Sequence, residues 1–138
     1  MEVPETGKMS IVQDPTGAVF GLWEPINHKG AGISAAHGAM TWCEVNTTDS
    51  DAAKAFYGDL FGYTMEPMDD GSGITYYMMK LGETTVGGIL QMNEQWEGIP
   101  PHWSAYFQVD NTEEAAKAAE AAGGKVNVPA FDLSLIHI

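Results

Sequence analysis

The sequence predicts an α+β fold, and three observations predict it. From residue 40 onward, runs that read as strands alternate with two Ala-rich, capped helical segments. The order strand, helix, strands begins twice, about 60 residues apart. Gly and Pro clusters separate the runs and mark them as short elements rather than one long periodic segment.

The elements follow in order. Residues 1–8 are polar, with Pro4 and Gly7. Residues 9–25 read as a hairpin with strands at 9–13 and 18–23. Asp14-Pro15-Thr16-Gly17 joins them, with Pro at the second turn position and Gly at the last. Residues 25–39 read as a linker, because Pro25, Asn27, Gly30, Gly32, Ser34 and Gly38 break any period. A strand is expected at 40–47. Asp49 caps a helix running to Phe61, with Ala53, Phe56, Tyr57 and Leu60 on one face, and Gly62 takes the left-handed stop position. Three more strands are expected at 63–68, 74–81 and 85–92. After the Pro-rich loop 97–101 the order restarts with a strand at 102–109. Asn111 then caps a helix, with Glu114 placed for a capping box, and Gly123-Gly124 ends it before a short strand at 125–128. Ala52-Ala53-Lys54-Ala55 in the first helix recurs as Ala115-Ala116-Lys117-Ala118 in the second. Residues 133–138 continue no pattern and read as translated sequencing-adaptor read-through, so His137 is no ligand candidate.

Composition bounds the function. At 138 residues the chain is one domain's worth of protein. Six Lys, no Arg and 19 acidic residues give a formal charge of −13, which argues against nucleic acid, an anionic membrane surface and a bidentate phosphate clamp. No stretch approaches the ~20 apolar residues that span a bilayer. The first five residues lack the features of a signal peptide. The single Cys43 excludes an internal disulfide and a Cys-based zinc site. A reducing, cytoplasmic setting is expected. With 44% hydrophobic residues and 14 aromatics the chain can build a packed core.

Two stretches carry a recognisable pattern. Trp42-Cys43-Glu44-Val45-Asn46-Thr47-Thr48-Asp49, followed by Ala52-Ala53-Lys54-Ala55-Phe56-Tyr57-Gly58-Asp59-Leu60-Phe61-Gly62-Tyr63, resembles the vicinal oxygen chelate superfamily, the glyoxalase, bleomycin-resistance and extradiol dioxygenase group. Asp14-Pro15-Thr16-Gly17-Ala18-Val19-Phe20 resembles the hairpin that ends that family's second unit. The resemblance covers residues 1–132 and is closest to two-domain actinobacterial glyoxalase-like members. It implies βαβββ units that pair to form a cleft, here in fragmentary and circularly permuted order. On this reading residues 1–25 are the closing hairpin of a preceding domain, 26–38 a linker, and 39–132 a domain lacking its own last strands. The hairpin would then fill the vacant closing-strand position, within the chain or by exchange in a homodimer.

Strand alternation assigns the cleft face. Trp42, Glu44 and Asn46 share it, while Cys43, Val45 and Thr47 point to the helix. Ser104, Tyr106 and Gln108 share it on the restarted strand, with Ala105, Phe107 and Val109 towards the second helix. Metal-dependent members of the family place His, Gln or Glu on the first, fifth and last strands. Carried over, those positions fall on Trp42, Ser104 and Gly21, none a usual divalent-metal ligand. The expectation is therefore no metal and no cofactor, with a divalent ion as the family alternative.

The remaining candidates each have a functional and an ordinary reading. Glu44 is a general base or hydrogen-bonding anchor, or it faces water or a Lys. His102 is a displaced ligand or proton shuttle, or a histidine at a loop end. His28 and His37 read as solvated, and Cys43 as a small buried thiol. Trp42, Tyr76, Trp96, Trp103 and Tyr106 form a stacking pocket or ordinary core. Met78, Met79 and Met92 offer soft lining. Gly71-Ser72-Gly73 and Gly87-Gly88 lack the strand-to-helix setting of a phosphate loop. The favoured reading is metal-free binding of a small molecule by Trp42, Glu44, Asn46, Ser104, Tyr106 and Gln108, without nucleic acid or membrane. The alternatives are a glyoxalase-like or dioxygenase-like enzyme whose metal site lies outside this sequence, and a structural pseudo-domain.

Overall fold

A computed structural model of the chain describes residues 2–133. It is an α+β protein with two sheets and two helices. The elements are β1 (Glu2–Val3), β2 (Gly7–Gln13), β3 (Val19–Pro25), β4 (Met40–Thr47), α1 (Ser50–Phe61), β5 (Thr64–Met68), β6 (Tyr76–Leu81), β7 (Thr84–Gln91), a 3-10 turn (Glu94–Trp96), β8 (His102–Phe107) and α2 (Thr112–Ala121). β1, β2 and β3 form one sheet; the other runs β5-β6-β7-β4-β8. One complete strand-helix-three-strand unit, β4 to β7, is thus joined by β8, antiparallel to β4.

The expected N-caps and the Gly62 stop operate, whereas Leu60, expected on the face of α1 with Ala53 and Tyr57, is 45% exposed. Asp49 accepts from Ala52 N–H at 3.0 Å, a cap worth about 1 kcal/mol. Gly62 stops α1 at φ 73°, its N–H returning to the Gly58 carbonyl. Asn111 accepts from Glu114 N–H at 3.0 Å to start α2. Alternation on β4 holds as well. Val45 and Thr47 are fully buried towards α1, and Ala53 and Tyr57 of that helix meet Val45, Met79 and Ile89 in the core.

The hairpin is where the structure adds most. It does not join the five-stranded sheet. It pairs only with β1 and lies against α1, and β4 is the sole strand partner of β8 among the described residues. Phe20 contacts the rings of Phe56, Tyr57, Phe61 and Trp103 at centroid distances of 5.5–6.3 Å. Beside that cluster Asp14 is 4% exposed. Its Oδ1 accepts from the N–H groups of Thr16, Gly17 and Ala18 and from the Thr16 hydroxyl, at 2.8–3.1 Å. Its Oδ2 accepts from the Tyr57 hydroxyl at 2.7 Å, and Trp103 Nε1–H donates to that hydroxyl at 3.1 Å. One chain of hydrogen bonds therefore ties the turn, α1 and β8 together.

Burial alone would raise the Asp14 pKa. Bonds from Tyr57, from Thr16 and from the main chain outweigh it and hold the carboxyl below its ordinary 3.8. The folded value lies under the unfolded one, so this stability is present above the ordinary carboxylate range. It is lost as pH falls through the folded value. In Asp14→Asn the dependence of unfolding free energy on pH should flatten between about pH 5 and pH 2. Urea titrations across that range give the slope; one equal to wild type would remove Asp14 from acid unfolding.

Two expectations fail in the second half. The strand at 125–128 does not form; those residues are irregular. A strand needs a partner for its N–H and C=O groups, and none is offered there. Nor do Ala105 and Phe107 pack beneath α2: Phe107 is 62% exposed and no residue of α2 is buried. A helix covers a sheet when later strands carry the chain back across it, as β5 to β7 do for α1. Residues 134–138 of the suspected read-through lie outside the described residues. No helix among the described residues is long and apolar enough to cross a membrane.

Candidate binding site

The face of β4 opposite α1 carries Trp42, Glu44 and Asn46, and register supplies their neighbours. Trp42 lies opposite Tyr106, Glu44 opposite Ser104, and Asn46 opposite His102 on β8. Glu44 also pairs with Gly88 on the parallel strand β7. Two linked groups of side chains result.

The first group centres on Glu44, which is 7% exposed. Tyr76 O–H donates to its Oε2 and Tyr106 O–H to its Oε1, both at 2.7 Å. Trp42 Nε1–H donates to the Tyr76 oxygen at 3.1 Å. Burial first, and then the bond to Glu44, raises the pKa of both phenols above the ordinary tyrosine range. Both phenols therefore stay neutral donors through any physiological pH. Of the readings open for Glu44, the hydrogen-bonding anchor describes its contacts. It neither faces water nor pairs with a lysine.

Tyr76 reaches Glu44 because Gly88 lies under its path. A Cβ on Gly88 would overlap the Tyr76 phenol. Gly87 faces the other way, where a Cβ would stand 2.7 Å from the Cys43 carbonyl. The Gly-Gly pair thus serves close approach on both faces of one strand.

The second group centres on Asn46, 1% exposed. Its Nδ2 donates to Ser104 Oγ at 2.9 Å and lies 3.5 Å from His102 Nε2. His102 Nδ1 lies 2.8 Å from the Pro100 carbonyl. Because a carbonyl can only accept, Nδ1 carries a ring proton, and in that tautomer Nε2 turns a lone pair towards Asn46. His102 thus stands beside Asn46 in the candidate site.

Five of the six expected binding residues come together: Trp42, Glu44, Asn46, Ser104 and Tyr106. Gln108 does not. Its N–H and C=O pair with the main chain of Ala39 and Gly38 past the end of β8, and its side chain makes no hydrogen bond among the described residues. Trp103 points to the opposite face, into the Tyr57 cluster. Trp96 stands near the second group, its ring 6.2 Å from that of His102. His28 and His37 are exposed. Cys43 is half-buried, its Sγ 3.7 Å from the Val86 carbonyl, and burial with the nearby Glu44 charge raises its thiol pKa. The bond from Tyr76 to Glu44 was not foreseen, although a Gly-Gly pair in mid-strand signals close approach.

A family model described as bleomycin resistance protein-like N-terminal matches residues 40–81. Among curated proteins, "Putative glyoxylase CFP32" of Mycobacterium bovis is 38% identical over 132 residues, 96% of this chain and 50% of that protein. The anthracycline biosynthesis protein DnrV of Streptomyces peucetius is 32% identical over 132 residues, 94% of this chain and 47% of that one. The chain spans about half the length of the curated relatives it matches. A crystal structure of methylmalonyl-CoA epimerase from Mycobacterium tuberculosis aligns at a TM-score of 0.41 and 12% identity, over 67% of this chain and 70% of that one.

Proposed function

The chain belongs to the vicinal oxygen chelate superfamily, and on that footing we propose that it binds a small, neutral or cationic, largely apolar molecule on the Trp42–Glu44–Tyr106 face without a metal ion. The observation that carries this is the state of Glu44. Both of its oxygens are engaged by phenols, and Trp42 stands beside them. Such a cluster offers flat apolar surface with one fixed negative charge, which suits a planar ligand that is neutral or cationic. The net charge of −13 favours the same ligands by long-range attraction.

A divalent ion does not fit this donor set. The strand positions that hold ligands in metal-dependent members carry an indole, which only donates, a serine hydroxyl already bonded to Asn46, and a glycine. Among the described residues no three His, Cys, Asp or Glu side chains gather where an ion could bind. The Streptomyces relative is named for anthracycline biosynthesis, and an anthracycline is a flat polycycle of the class this face suits.

Within this reading, residues 1–25 are the closing hairpin of a preceding unit and 39–132 a second unit, working in the reducing cytoplasm as part of a longer protein or as a homodimer of paired units. The glyoxylase name of the mycobacterial relative favours a second reading, a metal-dependent enzyme whose site lies outside these residues.

Fluorescence titration tests the first reading. The flat cation 9-aminoacridine should quench part of the tryptophan emission saturably, and Trp42→Phe should remove that component. Equilibrium dialysis against zinc, nickel and manganese should leave less than one ion per chain. One tightly held ion per chain, or quenching that survives Trp42→Phe, would overturn it.

A further inference from the structure

We propose that Asn46, Ser104 and His102 form a seat for a hydroxyl group of the ligand, so that the molecule bound here is a hydroxylated aromatic. This rests on the binding reading above and names what the second half of the site recognises.

The starting point is an orphan. Asn46 Oδ1 is buried and has no hydrogen-bond partner among the described residues. A buried amide oxygen left unpaired is costly, so such atoms normally have a partner that belongs to them. Turning the amide over does not remove the difficulty. Pro100 fixes the proton on His102 Nδ1, so Nε2 presents a lone pair, and the Asn46 atom facing it must be the N–H donor. Oδ1 is therefore the free acceptor. Ser104 Oγ already accepts from Asn46 Nδ2, which leaves its own O–H available to donate.

The seat thus displays an acceptor, Asn46 Oδ1, and a donor, Ser104 O–H. A hydroxyl complements both, donating to the first and accepting from the second. A carboxylate or phosphate has no proton for Oδ1, and the chain has no Arg to pair with it. The surroundings suit a ring on the other side of that hydroxyl. Leu90 is the cross-strand neighbour of Asn46, and Trp96 stands beside His102. Asn46 is 1% exposed, while His102 and Ser104 beside it are part-exposed.

Calorimetric titration of the full chain with 2-naphthol and with naphthalene tests the seat, because the two probes differ only in the hydroxyl. Naphthol should bind about tenfold more tightly, the worth of one satisfied buried acceptor. Asn46→Leu should abolish that preference, bringing the two affinities within about twofold of each other. If that variant fails to fold, Ser104→Ala should reduce the preference, and in wild-type protein the Asn46 side-chain amide resonance should shift with naphthol and not with naphthalene. Equal binding of both probes would overturn the seat alone and assign the orphan oxygen to a buried water. Binding of neither would overturn the seat and the cleft reading together.

Discussion

Asp14→Ala is expected to lower the unfolding free energy by about 1–3 kcal/mol or more, the range for leaving a buried donor without its acceptor. Alanine takes four hydrogen bonds from the turn and one from Tyr57 at a stroke. The Ala18 N–H and the Tyr57 hydroxyl remain buried without an acceptor, which makes the loss larger than that of an exposed turn residue. Asp14→Asn keeps one oxygen for the turn and should cost less. Urea unfolding followed by tryptophan emission measures both, since Trp103 sits at the far end of the same chain of bonds. Proteolysis should report the same event from outside, with cleavage in the linker 26–38 speeding up as the hairpin leaves α1. A loss under about 0.5 kcal/mol, the scale of an ordinary surface substitution, would mean that apolar contacts of Phe20 alone hold the hairpin.

Gly88→Ala is expected to be nearly as damaging and to act on the candidate binding face. The new methyl would occupy space held by the Tyr76 phenol, and that ring cannot stay bonded to Glu44. Overpacking costs about 1–3 kcal/mol, and the phenol bond to a carboxylate adds to it. Binding of 9-aminoacridine should weaken in the same variant, because Trp42 loses the oxygen it donates to. Tyr76→Phe separates the two effects: it removes the hydrogen bonds without crowding, so it should weaken binding with a smaller stability loss. Thermal melts and fluorescence titrations of the pair decide this. A Gly88→Ala protein with wild-type melting temperature and affinity would show that Tyr76 does not need that path.

Much of this molecule was legible before any coordinates. The caps at Asp49 and Asn111 and the stop at Gly62 act within a few residues, so their chemistry is local and readable. The alternation Trp42, Glu44, Asn46 against Cys43, Val45, Thr47 is likewise a property of any strand. It sufficed to put five of the six expected binding residues on one face. Gln108 was lost because the regular strand ends at Phe107, and alternation says nothing beyond a strand's end. The second helix and the strand at 125–128 misled for a different reason. Their local signals are sound, but packing and pairing depend on what comes back to meet them.

By itself the sequence determined the α+β class, the family, most of the elements and the side of the sheet on which Trp42, Glu44 and Asn46 stand. These follow from periods and caps that span a few residues. Only the tertiary structure decided that Asp14 is buried against Tyr57 43 residues away. It likewise decided that Glu44 is held by phenols from β6 and β8 and that Asn46 is left with an unpaired oxygen. The physical reason is that a hydrogen bond between distant residues requires distance and direction together, and one dimension of residue order specifies neither.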